Sequence, residues 1–465
     1  MRHSVGDEHR ASNRARAARA VFRASSRGVR IYLSFSLNCL LGIALFMSVA
    51  CAFYISPVHY LMDGQFSLLM DEALIHEWTP NMIRYQVPRG HGDIFVNDGY
   101  PWQIRIIRGR LLYVYPWGSP LLSLPAVAVF NADGFKIAPH RSRYQYSWSN
   151  ELRMQILITT AICALTIWVA YIASDYFLPF GWSLTVALAA ALGTPIWSSA
   201  SRSLWPQAWS VLLMMIAILI LLSGSIRPFI LGTVLAWSCL TRPTLIPQVA
   251  AITLYVLVTY DHRFLWRYIA GGLCSAIPVC ALMFLFTGGL FSVAYPLVLF
   301  DFPHEFWLRL YGLLLSPSRG LLVFSPVFLI PVYLVIRYWK VLPERCLAVL
   351  ALAAIGMHFL VLSSYSCWWA GAYGPRLMLE VVPWFVLLAI LGIRAFVEDR
   401  SLSFMPRLLI TSVAAFTLAI SIATNAPGAL VRNAGGWRSV DQDHLDVLWD
   451  WHDPQFLCWI RRSEK

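Results

Sequence analysis

The chain has 465 residues, 58% of them hydrophobic and only 13% charged, with 20 Trp, 20 Tyr and 26 Phe. An ordinary soluble domain carries about 25% charged residues, so this composition excludes both a water-soluble enzyme with a solvated surface and a disordered chain. Mean hydropathy is +0.61, and several apolar runs approach the roughly 20 residues that a bilayer span requires.

The net charge of +12 is unevenly placed. Residues 1–30 hold eight arginines against Asp7 and Glu8, half of the excess. An arginine-dense arm could contact nucleic acid or a membrane surface. Ahead of an apolar run it reads best as a cytoplasmic topogenic tail, so no nucleic-acid partner is expected. Residues 31–56 then form an uncleaved first span, since no A-x-A cleavage pattern follows. Further strong runs lie near 153–174, 182–200, 207–223, 245–260, 268–288, 321–337, 346–364, 377–394 and 407–424, with weaker ones at 119–131 and 228–240. The expected fold is all-α, a polytopic transmembrane bundle of about 11–13 spans.

Between the first two strong runs lies a long loop, 57–118. Residues Gly64 to Glu77 place Phe66, Leu69, Met70, Ala73 and Leu74 on one helical face and Gln65, Glu72 and His76 on another, the pattern of an amphipathic helix lying in the membrane interface. Turn residues follow, and then an IRIIRGRLLYVYP stretch suited to a hairpin around Gly109. Basic loops at 261–267, 337–345 and 394–407 are placed inside with the N-terminus, and 57–118, 289–320 and 365–376 outside. Counting spans back from the C-terminus puts 132–151 outside. Counting forward through a spanning 119–131 puts it inside. A Pro-interrupted helix at 119–131 that does not cross fully reconciles the two. The expected organisation is a basic tail (1–30), a membrane module (31–424) and an extracytoplasmic, acidic, Trp-rich segment (425–465).

Charges beside a bilayer are costly and therefore informative. Asp63 precedes the amphipathic helix. It either caps that helix or serves as a carboxylate base at the membrane boundary, and the two roles are compatible. Asp71 and Glu72 fit the polar helix face. Arg319 in SPSRG and Arg376 in AYGPR each join turn residues to an apolar run. An arginine presents a fixed fork of donors matched to phosphate, or snorkels to lipid headgroups. Trp368, Trp369 and Tyr373 beside them suit either a site or an interfacial belt. Arg202 and Arg242 are further cationic candidates. Glu380 is explained by an i,i+4 ion pair with Arg376, and His358 reads as a packed residue. The nine cysteines show no C-x-x-C pairing. P-loop, dinucleotide, zincin and nucleophile-elbow motifs are absent. A secondary transporter would place its ionisable residues at the midplane of two related halves, whereas here they gather at span ends.

The blocks Asp63–Glu72 (DGQFSLLMDE), Tyr115–Pro125 (YPWGSPLLSLP), Thr194–Trp205 (TPIWSSASRSLW), Thr241-Arg242-Pro243, Ser316–Pro326 (SPSRGLLVFSP) and Trp368–Pro383 (WWAGAYGPRLMLEVVP), with the tail DVLWDWHDPQF (446–456), resemble in kind and order the GT-C class of polytopic membrane glycosyltransferases. Within that class the chain is similar to the dolichyl-phosphate-mannose–protein mannosyltransferases and aminoarabinose transferases. The resemblance implies an inverting transfer of a sugar from a polyprenyl phosphate in the outer leaflet of the cell (inner) membrane to a glycan, lipid or protein hydroxyl. Asp63 would be the base, and Arg319 and Arg376, with Arg202 and Arg242, would bind the carrier phosphate. Asp71, Glu72, Ser316, Tyr373 and Glu380 would support them. No cofactor is required, though some members use a divalent cation, for which Asp63 with Asp71 or Glu72 would supply oxygens. The chain departs from the pattern at Gln207 (His in relatives), Phe66 (Tyr), Glu380 (Asp) and Tyr-Pro-Trp-Gly in place of a His-Pro-Pro-type motif, which argues against protein O-mannosylation. A flippase or transporter of a lipid-linked saccharide is the alternative from another class.

Overall fold

The computed structural model describes residues 31–90, 95–96, 99–139, 144–223, 226–290, 292–294, 305–432, 434–436 and 445–460. The basic tail 1–30 and residues 433, 437–444 and 461–465 of the C-terminal segment lie outside the described residues. Helix α1 (Ile31–Tyr54) is the first described element. After it come α2 (Ser67–Glu77), β1 (Phe95–Val96), β2 (Tyr100–Pro101), β3 (Ile104–Ile107), β4 (Arg110–Tyr113) and α3 (Gly118–Ala132). The bundle continues with α4 (Trp148–Asp175), α5 (Phe180–Leu192), α6 (Pro195–Ser198), α7 (Pro206–Leu222), α8 (Pro228–Thr241), α9 (Ile246–Thr259) and α10 (His262–Thr287). It closes with α11 (Phe306–Leu315), α12 (Leu321–Phe324), α13 (Leu329–Arg337), α14 (Arg345–Ser363), α15 (Val382–Glu398) and α16 (Phe404–Leu430).

The described chain is an all-α bundle with only two small antiparallel strand pairs. Six helical stretches are long and apolar enough to cross a membrane: Trp148–Asp175, Phe180–Ser198, His262–Thr287, Arg345–Ser363, Arg376–Glu398 and Phe404–Leu430. Seven shorter apolar helices pack among them. This is the build of a multi-pass membrane protein, in which backbone polar groups are satisfied within helices.

The segment between α1 and α4 decides where the chain goes. The hairpin around Gly109 is present: β3 and β4 pair with Ile107 opposite Arg110. Arg108 and Gly109 both take positive φ, as a two-residue hairpin turn requires. Helix α2 differs from expectation. Ser67 through Ala73 are all buried, so both of its faces are covered by protein over the first two turns. Its polar face meets the returning chain, because Glu72 accepts the backbone N–H groups of Ile137 (2.7 Å) and Ala138 (2.9 Å).

Helix α3 has 15 residues, about 22 Å at 1.5 Å per residue, short of the roughly 30 Å hydrocarbon core. At its far end Asn131 meets His76 of α2 at 3.2 Å. The chain then returns to the same cluster, where Gln86 exchanges backbone hydrogen bonds with Tyr144 and Tyr146. Glu151, in the first turn of α4, reaches the backbone of Phe66. The chain thus leaves α1 and enters α4 at one end of the bundle, with α3 folded into that end.

Toward the other end of α15, a 17-residue helix about 25 Å long, Arg394 pairs with Glu344 at 2.7 Å. There Tyr338 donates to Asp399 at 3.0 Å. The basic connections 337–345 and 394–407 are therefore gathered together, away from Asp63.

Candidate active site at one end of the bundle

Asp63 does not cap α2. The helix begins after Phe66, which has a left-handed backbone (φ +67), a conformation that costs a bulky residue about 1–2 kcal/mol. Glu151 holds it there by accepting the N–H groups of Phe66 (3.1 Å) and Leu68 (3.4 Å). Glu151 also takes the Tyr146 hydroxyl at 2.6 Å. The helix N-terminus is thus served from α4, leaving the Asp63 carboxylate available for another partner.

The backbone around Asp63 is pinned on both sides. Gln155 donates to the Gly64 carbonyl at 2.7 Å and accepts from Leu204 N–H at 3.4 Å. A Cβ on Gly64 would lie 2.4 Å from the Leu204 carbonyl oxygen, so only glycine permits this approach. Tyr113 donates to the Asp63 carbonyl at 2.5 Å. The carboxylate, almost wholly buried, accepts from Arg376 Nη1 at 3.0 Å on one oxygen and from Tyr115 at 3.4 Å on the other.

Arg376 follows Gly374, whose φ is +61, and begins a 3₁₀ stretch, Arg376–Val381. Its guanidinium lies 3.7 Å above the Trp205 ring, a cation–π contact. Its Nε is buried with no hydrogen-bond partner. The expected ion pair between Arg376 and Glu380 does not form. With three residues per turn, positions four apart fall on different faces. Glu380 instead pairs with Arg242 at 3.1 Å and accepts from Ser210 at 3.3 Å, and its second oxygen lies 3.6 Å from His358. His358 also contacts the Leu377 carbonyl at 3.0 Å. Arg242, Glu380 and His358 therefore form a separate buried cluster within the bundle.

Arg319 is shaped by its own turn. The Ser316 hydroxyl accepts from Ser318 and Arg319 N–H, both at 3.1 Å, and donates to the Leu448 carbonyl at 2.6 Å. The Arg319 guanidinium donates to the Ser318 carbonyl and to Gln455 Oε1, both at 2.7 Å, and to the Trp369 carbonyl. All three acceptors are neutral. Its Nη2 donates to no described residue. Burial and the like charge of Arg376 push its pKa down to about 9, which leaves it cationic at neutral pH. Arg319 and Arg376 line one narrow crevice, with Trp368 and Trp369 on its wall.

The other sequence candidates sit elsewhere. Arg202 turns toward the end of α1, donating to the carbonyls of Phe53 (3.0 Å) and Val58 (3.4 Å), a cation at a helix C-terminus. Asp71 is fully buried with neither carboxylate oxygen hydrogen-bonded. Burial and then the nearby Glu151 charge raise its pKa well above the usual carboxylate range. The Tyr373 hydroxyl donates to the Thr424 carbonyl at 2.6 Å, and its ring stands edge-on to Phe324. The acids considered for a cation diverge: Asp63 faces Arg376, Asp71 lies near Glu151, and Glu72 binds backbone N–H groups. Among the described residues no group of three His, Cys, Asp or Glu side chains is placed to hold a metal ion.

Sequence reasoning missed Glu151, Gln155 and Gln455. An acid in the first turn of a long apolar helix is a visible signal, but nothing in the spacing ties Glu151 to Phe66, 85 residues earlier. Gln455 lies inside the noted tail block without any local pattern to single it out. No family model, no curated protein and no solved structure matches the chain.

Proposed function

We propose that the protein is an integral-membrane glycosyltransferase that moves a sugar from a polyprenyl-phosphate carrier to an acceptor hydroxyl at the extracytoplasmic face of the cell membrane. The observation that carries this reading is the convergence of three groups. A buried carboxylate, Asp63, is paired at 3.0 Å with Arg376, and Arg376 shares a crevice with Arg319, a buried cation whose acceptors are all neutral. A buried charge without a counter-ion costs several kcal/mol, so this crevice favours an anion, and a lipid phosphate at a bundle end supplies one.

A carrier phosphate entering between the two arginines competes with Asp63 for Arg376. The released carboxylate accepts the proton of the acceptor hydroxyl, whose oxygen attacks the anomeric carbon from the face opposite the phosphate. The new C–O bond forms as the bond to the phosphate oxygen breaks, with inversion. The two guanidiniums stabilise the charge growing on the departing phosphate. The acceptor hydroxyl belongs to a glycan, a lipid or a protein.

The test is a reconstituted assay with polyprenyl-phosphate sugars, following release of the carrier phosphate and measuring donor affinity. Arg319→Ala and Arg376→Ala should each weaken donor binding by about tenfold or more. Unchanged affinity in both would exclude the phosphate clamp.

A further inference from the structure

The segment Leu445–Ile460 packs against the two loops that carry Arg319 and Arg376. Gln455, 1% exposed, uses its whole amide. Its Oε1 accepts from Arg319 Nη1 at 2.7 Å and from Gly374 N–H at 2.9 Å. Its Nε2 donates to the carbonyls of Ala372 (3.3 Å) and Ala434 (3.2 Å). One neutral side chain thus joins the two loops that carry the arginines, since Gly374 lies two residues before Arg376.

The segment is fastened on both sides of Gln455. Upstream, Leu448 accepts the Ser316 hydroxyl, the group that also forms the Arg319 turn. Downstream, the Phe456 ring stands edge-on to Phe324 at 5.8 Å, and Cys458 is buried in the same small cluster as Phe324 and Tyr373. The chemistry of the side chain matters. An amide oxygen fixes a guanidinium without cancelling its charge. A carboxylate there would form a bidentate ion pair and remove the field that attracts an anion.

We infer that Gln455 is a positioning residue of the anion crevice, bracing Arg319 and the Gly374–Arg376 turn so that both guanidiniums face the phosphate, and that the C-terminal segment is part of the donor site. This rests on the proposed phosphate-binding role of Arg319 and Arg376, and the experiment separates the two claims.

Full-length protein in lipid nanodiscs is titrated with geranyl phosphate and, as the uncharged control, geraniol. Wild type, Arg319→Ala, Gln455→Met and Gln455→Glu are compared. Methionine keeps the volume and removes the hydrogen bonds, whereas glutamate keeps the shape and adds a charge. Relative to wild type, geranyl phosphate affinity should fall about tenfold in Gln455→Met and further in Gln455→Glu. Geraniol affinity should be unchanged in both. A loss confined to Arg319→Ala, with both Gln455 variants binding geranyl phosphate as wild type, overturns the role of Gln455 and leaves the phosphate site standing. Equal losses for geraniol and geranyl phosphate in the Gln455 variants overturn it too, because they mark a collapsed crevice rather than a misplaced charge. Geranyl phosphate binding that is insensitive to Arg319→Ala overturns the parent reading, and the inference with it.

Discussion

Asp63→Asn separates the two jobs assigned to the Asp63–Arg376 pair. At 3.0 Å and an effective dielectric of about 20, the gross attraction is about 5 kcal/mol. Desolvation offsets much of it, and the net worth of a hydrogen bond to a charged group is about 1.5–3 kcal/mol. A carrier phosphate that takes Arg376 from Asp63 must first give up that amount. Asparagine keeps the shape but not the charge, so Arg376 is left free to meet an anion. Affinity for a short polyprenyl phosphate should therefore rise about tenfold or more. Sugar transfer should fall about 10²–10⁴-fold, the usual contribution of a positioned base. Both are read on one preparation, by titration with geranyl phosphate and by release of carrier phosphate from a polyprenyl-phosphate sugar. Transfer at the wild-type rate refutes the base assignment. Affinity that falls as it does in Arg376→Ala refutes the competition between carboxylate and phosphate.

Three further outcomes follow from the packing around the site. Asp71→Asn should raise the melting temperature at pH 7–9 and leave transfer intact: with the folded pKa raised by burial and then by Glu151, the stability present below the unfolded value is lost as pH rises through the folded one, and a lower melting temperature at pH 8 would count against this. Gly64→Ala should displace the Asp63 loop from Leu204, since the added Cβ meets a carbonyl oxygen at 2.4 Å and the strain is about 1–3 kcal/mol; transfer should fall more than lipid-phosphate binding, and equal losses would contradict the loop's role. His59 has its pKa lowered from 6.5 to about 4 by burial and then by Arg202, so the unfolded chain binds more protons between those values; stability should fall as pH drops through that window, and His59→Asn should flatten the fall in a melting series.

Composition and hydropathy made the helical membrane bundle legible, because the bilayer imposes run length and apolarity directly on sequence. The hairpin at Gly109 was legible for a similar reason, its turn chemistry being local. Asp63, Arg319 and Arg376 stood out as isolated charges at span ends, and the structure brings these three to one place. What was not legible depends on long-range hydrogen bonds. Asp63 is not the cap of α2 because Glu151 performs that job from another helix. Arg202 faces α1 because it donates to the carbonyls of Phe53 and Val58, 149 and 144 residues earlier. Arg376 and Glu380 part company because the backbone between them winds as a 3₁₀ helix, which the i,i+4 rule does not anticipate. Helix α2 is buried because the chain at Ile137 and Ala138 returns across its polar face, a contact set by the short α3 rather than by the pattern of α2 itself.

The most direct measurement is a structure of the protein with a short polyprenyl phosphate bound. The phosphate is expected between Arg319 and Arg376 in the crevice beside Trp368 and Trp369, with Asp63 released from Arg376 and facing the open side. A phosphate bound elsewhere, with the Asp63–Arg376 pair intact, would contradict the assignment of these residues to one donor site.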